Sequence, residues 1–333
     1  MLRKIVRLST PSLSIITILS TTILIVVLSC GCINHKQQNI IENYIDGSIM
    51  VDGIERTYHL YIPNNYNPNA HLPLLIVLHG GGGNGKGMEE KTTLGEFDKL
   101  ADKENFIVVY PDAFKKHWND GKEDPYSYSA RHNIDDVKFI STLIDYLGKK
   151  YNIDKNRVYV VGMSNGGMMS FRLACELSDK IAGIATVAAS MPENLYILCH
   201  PSNKISILMI HGTHDPIVPW EGGYVHIFGK RRGNVVSIEE SFEFWARHNN
   251  CTLQFNQTYL PDIDPNDGTK VWKKECSNEE NGTKVILYGI EGGGHTWPGG
   301  LRRFSEQIVG RISHDINACK VIWNFFKEIR INS

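Results

Sequence analysis

The pentapeptide Gly162-Met163-Ser164-Asn165-Gly166 follows an apolar run at 157–161 and opens a stretch rich in Met, Leu and Ala. The apolar run reads as a buried strand and the stretch after it as a helix, so the pentapeptide sits at a sharp strand-to-helix turn. Such a turn strains the serine backbone and crowds strand against helix. Glycine two positions to either side removes the side chains that would collide. The chemical result is a serine hydroxyl lifted clear of its neighbours, where a base can reach it. A glycine-flanked surface turn is the plainer alternative, and the elements further along the chain decide between the two.

Those elements alternate. Strands are expected at Ser48 to Val51 and Ile54 to Ile62, joined tightly at Asp52-Gly53. Nearly continuous apolar runs follow at Pro73 to His79, Phe106 to Tyr110 and Arg157 to Val161, as expected of central strands buried on both faces. Helical spacing marks Met88 to Lys103 and Ile134 to Lys150 between them. Beyond the pentapeptide come an apolar run Ile181 to Ala189, a strand Ile205 to His211, a helix Val235 to Asn249, a strand Lys284 to Ile290 and a helix Asp315 to Ile329. The expected fold class is α/β: a mostly parallel central sheet with helices on both faces and an N-terminal antiparallel hairpin. Irregular stretches at 111–133 and 212–234 follow strands on the side where binding loops gather.

A serine nucleophile needs a base to take its proton, a group to orient that base, and donors for the oxyanion. After the strand ending at His211 comes Gly212-Thr213-His214-Asp215-Pro216, and after the last strand comes Gly292-Gly293-Gly294-His295. The order serine, acid, histidine at successive strand ends makes Ser164 the nucleophile, Asp215 the orienting acid and His295 the general base. Each alone is an ordinary loop residue, and their joint order at three strand ends is what carries weight. The oxyanion donors are expected to be the backbone N–H groups of Asn165 and of Gly81, from His79-Gly80-Gly81-Gly82-Gly83.

Other motifs fail on inspection. Gly80 to Lys86 fits G-x-x-x-x-G-K, but Gly87 stands where a magnesium-holding hydroxyl is required. Asp262 to Gly268 hints at a calcium loop, yet Asp267 occupies the glycine position and Lys273 the closing Glu. His79, His211, His214 and His295 lack metal-site spacing. No metal and no cofactor are expected. A formal net charge of -1 gives no general attraction to phosphate backbones, so nucleic acid is not an expected partner.

At the N-terminus, Arg3, Lys4 and Arg7 precede an apolar run from Leu13 to Leu28, the pattern of an export signal or a membrane anchor. Val27 to Cys32 resembles a lipoprotein signal with Cys30 or Cys32 lipidated. Residues 1–32 are therefore read as signal or anchor, 33–45 as a tether, and 46–333 as a single catalytic domain outside the cytoplasm. Cysteines there can oxidise. Spacing does not fix connectivity; the expected pairs are Cys251 with Cys276 and Cys175 with Cys199, with a buried free thiol the alternative for Cys175.

Taken together, Leu78 to Gly82, Ile134 to Ile140, Gly162 to Met168, His211 to Pro219 and Gly293 to Gly300 resemble the secreted polyhydroxybutyrate depolymerase and feruloyl esterase group of α/β-hydrolases, related to carbohydrate esterase family 1. The likeness covers roughly 46–330 and implies an α/β-hydrolase fold with Ser164, Asp215 and His295 in the roles already read. It also places a disulfide at Cys251 and Cys276. Polymer-degrading members often append a binding domain through a Thr- or Pro-rich linker, and none is read here, so a small or oligomeric ester is expected rather than a solid polyester. Trp118, Trp220 and Trp297 lie on the expected active-site side and are candidates to stack on sugar or feruloyl rings; packing on their own scaffold is the alternative. The resulting expectation is a serine carboxylesterase acting on short acyl, feruloyl or hydroxyalkanoate esters, including those carried on plant cell-wall polysaccharide. A polysaccharide-binding surface lipoprotein and an acyltransferase on the same scaffold are the other readings.

Overall fold

The computed structural model describes residues 43–252 and 256–331. The expected signal or anchor, its candidate lipidation sites and most of the tether lie outside those residues. Among the described residues no helix is long and apolar enough to cross a membrane.

The strands in chain order are β1 (Tyr44–Val51), β2 (Ile54–Tyr61), β3 (Leu72–Leu78), β4 (Ile107–Pro111), β5 (Ile153–Met163), β6 (Gly183–Val187), β7 (Ser206–Gly212), β8 (Gly223–Ile227), β9 (Lys230–Val235), β10 (Thr258–Tyr259), β11 (Lys270–Ser277) and β12 (Lys284–Glu291). The main sheet runs β1-β2-β4-β3-β5-β6-β7-β12-β11-β10. From β4 to β12 neighbours are parallel, and antiparallel strands extend both edges.

Strand side chains alternate between faces, and the core divides accordingly. On one face Leu74, Ile76, Leu78, Val160 and Ile207 meet Phe139, Ile140 and Leu143 of the Asp136–Lys150 helix, Phe171 and Leu173 of the Asn165–Glu176 helix, and Phe242 and Trp245 of the Ile238–His248 helix. On the other, Leu75, Val77, Val161 and Leu208 meet Phe97 and Ala101 of the Glu96–Glu104 helix and Ile322, Trp323 and Phe326 of the Ala318–Phe326 helix. Burial on both faces explains why the central strands read as unbroken apolar runs.

Several boundaries differ from the expectation. β1 starts at Tyr44, so Tyr44 and Ile45 of the expected tether are paired with Tyr61 and Leu60. The helix expected from Met88 to Lys103 breaks into a π-helical turn, Met88–Thr92, and the Glu96–Glu104 helix, because Leu94 and Gly95 take left-handed backbone angles (φ 57° and 65°). The helix after β9 begins at Ile238, where Ser237 and Glu240 form a reciprocal capping box that fixes the start. The stretch at 212–234 is not wholly irregular: β8 and β9 form a separate antiparallel hairpin.

Candidate active site

Ser164 sits between the end of β5 and the Asn165–Glu176 helix with φ 55° and ψ −121°, a left-handed conformation that costs a non-glycine residue about 1–3 kcal/mol. Two backbone hydrogen bonds hold it: its N–H donates to Val187 O at 2.9 Å, and its carbonyl accepts from Met168 N at 2.9 Å. The glycines at the turn are required by space. A Cβ on Gly162 would stand 2.1 Å from Gly166 O, and one on Gly166 would stand 2.5 Å from His79 O. The strained serine is thus a product of close strand-helix packing that only glycine permits.

Asp215 follows β7 and His295 follows β12, and these strands are parallel neighbours. The Nδ1–H of His295 donates to Asp215 Oδ2 at 2.8 Å. The other carboxylate oxygen, Oδ1, accepts from Ile217 N at 2.8 Å and Val218 N at 2.9 Å. The buried His211 donates through Nε2 to Val218 O at 2.9 Å, and burial lowers its pKa, so it stays neutral beneath the carboxylate. The His295 backbone is fixed as well, its N–H donating to Val309 O at 2.6 Å. A carboxylate on Nδ1 sets the tautomer with Nε2 free to accept a proton.

The glycine loop after β3 is held by His79. Its Nδ1–H donates to Gly80 O at 2.8 Å while Nε2 accepts from Ala113 N at 3.0 Å. That arrangement requires a neutral ring, and burial lowers its pKa to about 4. Gly82 N donates to Lys116 O and Gly83 N to Gly80 O, so the loop's amides at these positions are engaged. Gly81 runs beside Asn165: a Cβ built on it would lie 3.7 Å from Asn165 Cβ and 3.0 Å from His117 Nε2. Ser164, His295, Gly81 and Asn165 all line one cavity of about 820 Å³.

Of the tryptophans, Trp297 lines this cavity, set edge-on to Phe97 at 6.2 Å between centroids. The expectation for the other two is corrected. Trp118 is fully buried, donating through its indole N–H to His79 O at 2.9 Å. Trp220 packs edge-on against Trp272 and His211 and does not reach the cavity wall. Trp118 is satisfied within the scaffold, and the half-buried Trp220 makes its ring contacts there too.

The expected disulfide Cys175–Cys199 is present, with Cα atoms 5.2 Å apart. The one expected at Cys251 and Cys276 is not. Both are buried free thiols; their mutual interaction lowers the pKa of Cys251 and raises that of Cys276. Among the described residues no group of three or more His, Cys, Asp or Glu side chains is placed to hold a metal ion.

A network absent from the sequence reading supports the turn from behind. The Asn165 side chain accepts from Trp118 N at 2.8 Å and donates to Trp118 O at 3.1 Å and Asp120 Oδ2 at 2.6 Å. Asp120 in turn binds the buried Lys122 ammonium at 3.1 Å, which also contacts Met168 Sδ at 3.2 Å. Asp and Lys two apart in a polar loop ordinarily face water, and nothing in the sequence distinguishes this pair from that case.

The model of the phospholipase/carboxylesterase family matches residues 65–226, a segment containing Ser164 and Asp215. NocK of Nocardia uniformis subsp. tsuyamanensis, a protein with an esterase assignment, is 29% identical over 83% of this chain and 80% of its own length. Feruloyl esterase B of Piromyces equi is 28% identical over 70% of this chain, a match that spans 41% of the relative. The solved acetyl xylan esterase of Aspergillus awamori superposes with a TM-score of 0.51 at 14% identity, covering 76% of this chain and 94% of that one. At that identity the likeness concerns the fold.

Proposed function

We propose, on the premise that this chain belongs to the feruloyl esterase-like group of α/β-hydrolases and hydrolyses esters, that it works outside the cytoplasm through a serine acyl-enzyme. The observation that carries the reading is the 2.8 Å bond from His295 to Asp215, made at the cavity that Ser164 also lines. In this mechanism Ser164 Oγ attacks the ester carbonyl as His295 Nε2 takes its proton. The oxyanion is met by the N–H groups of Gly81 and Asn165, each worth about 3 kcal/mol in the transition state. Imidazolium then returns the proton to the departing alcohol, and water repeats the sequence to release the acid.

Short acyl, feruloyl and hydroxyalkanoate esters fit a cavity of about 820 Å³ walled by Met163, Met168, Ile217, Val225 and Trp297. A feruloyl relative supports an aromatic acyl group, carried on plant cell-wall polysaccharide or on smaller alcohols. Location outside the cytoplasm rests on Arg3, Lys4 and Arg7 ahead of the apolar run.

The decisive experiment is Ser164→Ala, assayed on p-nitrophenyl acetate and methyl ferulate and probed with a fluorophosphonate. The mechanism requires loss of turnover by several orders of magnitude and loss of covalent labelling, with the circular dichroism unchanged. Full turnover in the variant refutes it. Ester products formed with added acceptor alcohols would favour acyl transfer, and a wild-type protein that takes no label would favour a binding role.

A further inference from the structure

The cavity that holds Ser164 and His295 is more positive than the chain as a whole. Its ionised lining side chains other than histidine are Lys91, Lys122, Arg232, Arg302 and Arg303 against Asp124, in a protein of formal net charge -1. Some of that charge is neutralised: Lys122 by Asp120 at 3.1 Å, Arg232 by Asp124 at 2.8 Å and Arg302 by Glu306 at 2.9 Å. Lys91 and Arg303 make no ion pair among the described residues. The acids close to them in sequence are already engaged, Glu89 by His59, Glu90 by Lys86, and Glu306 by Arg302 and Arg311.

The backbone segments that carry the two cations meet beside the cavity. A Cβ on Gly300 would stand 3.1 Å from Thr92 O, so the segment leading to Arg303 runs against the segment leading from Lys91. Apolar surface flanks them: Leu301 is 66% exposed and Phe304 54% exposed, both on the cavity wall, and Phe228 on the β8–β9 turn is 77% exposed on the same lining. Large apolar side chains left in water at the rim of a cavity mark a contact surface.

We infer that Lys91 and Arg303 form an anion subsite at the mouth of the ester cavity, so that the preferred ester carries a carboxylate next to an apolar portion. The inference rests on the hydrolytic reading of the site and deepens it by naming the substrate class. Uncompensated cations beside apolar walls focus potential toward the opening and favour negatively charged ligands in both capture and binding. An anionic membrane surface offers the same charge. The cations, however, line the same cavity as Ser164, which favours a small ester entering it.

The experiment compares wild type with the Lys91→Gln/Arg303→Gln double variant on matched esters. p-Nitrophenyl butyrate and p-nitrophenyl hemisuccinate differ by a carboxylate on the acyl side; 4-methylphenyl acetate and 4-acetoxybenzoate differ by one on the alcohol side. In at least one pair the variant's loss in kcat/KM for the charged ester should exceed that for its neutral twin about tenfold at low ionic strength, mostly through KM, and salt should erode the wild-type preference. Equal responses in both pairs would overturn the subsite. So would loss of binding to phosphatidylglycerol vesicles with ester selectivity unchanged, which assigns the cations to a membrane. If wild type turns over the neutral esters, a negative result counts against the subsite alone; if it turns over none of the four, the hydrolytic reading falls with it.

Discussion

His295 Nδ1 and Asp215 Oδ2 lie 2.8 Å apart, and the carboxylate's other oxygen is held by the N–H groups of Ile217 and Val218. The acid is therefore oriented by backbone before it orients the imidazole. A side chain fixed at both oxygens has little freedom to release the ring, so the tautomer with Nε2 unprotonated is built into the fold.

Asp215→Asn replaces an acceptor by an amide that favours the wrong tautomer. We expect kcat on p-nitrophenyl acetate to fall about 10⁴-fold with little change in the unfolding midpoint. Steady-state kinetics check this, and a loss under tenfold would remove Asp215 from its role.

Gly166→Ala places a methyl 2.5 Å from His79 O and 2.6 Å from Leu78 O, both backbone atoms that cannot step aside. Overpacking of this kind costs about 1–3 kcal/mol. Urea denaturation should show that loss, with activity falling because Ser164 is displaced.

Asp120→Ala strands the Lys122 ammonium, whose side chain is 4% exposed. Removing one partner of a buried ion pair costs about 3–5 kcal/mol, whereas replacing both by apolar groups is often neutral. The double variant Asp120→Leu/Lys122→Met should therefore recover much of the stability. It should not recover kcat, since Asn165 still lacks the carboxylate that holds its amide.

Rising pH should weaken the fold through two buried groups, one below neutrality and one above it. Ion pairing with Glu89 at 2.8 Å, and with Asp46, raises the His59 pKa from 6.5 to about 9; burial raises Asp98 from 3.8 to about 7 even though its Oδ1 accepts from Tyr110 Oη at 2.7 Å. In both cases the folded state binds the proton more tightly than the unfolded state, so the contribution is complete below the unfolded pKa and vanishes as pH rises through the folded one. The melting temperature should decline from pH 4 to 7 on account of Asp98 and from pH 6.5 to 9 on account of His59. Asp98→Asn should flatten the first interval and His59→Gln the second. A flat profile in wild type would contradict the assignment.

Breaking Cys175–Cys199 releases a loop of sequence separation 24. Chain-entropy arguments put the loss at about 3 kcal/mol, measurable as the difference in unfolding free energy between wild type and a Cys175→Ser/Cys199→Ser variant.

What was legible in the sequence is what depends on period and order. Apolar runs at Leu72–Leu78 and Ser206–Gly212 announce strands buried on both faces, and Ser164, Asp215 and His295 stand out because each follows such a strand in one particular succession. Contacts made across loops were not legible. Trp118 and Trp220 look like binding residues until packing assigns them to the scaffold. The Asp120–Lys122 pair lies in a stretch read only as an irregular loop on the binding side, where nothing marks a buried ion pair. The β8–β9 hairpin is flat in hydropathy, with exposed Tyr224, Lys230 and Arg231 and only Val225 and Val235 buried, so no alternation betrays it. Position along the chain also did not decide the state of Cys251 and Cys276, which are free.

The parallel register of β7 and β12, in which Leu208 faces Ile286 and Gly212 faces Ile290, makes tolerance to length change uneven along this chain. One residue inserted within β12 would either shift every later pairing or turn the strand's inward side chains outward, carrying His295 away from its carboxylate. The same insertion at the exposed Phe228-Gly229 tip lies outside that ladder, in the separate β8–β9 hairpin, and would be absorbed by the turn. Descendants of this sequence are thus free to vary the length of the cavity's hairpin wall, but hardly at all the spacing between its last parallel strand and its histidine.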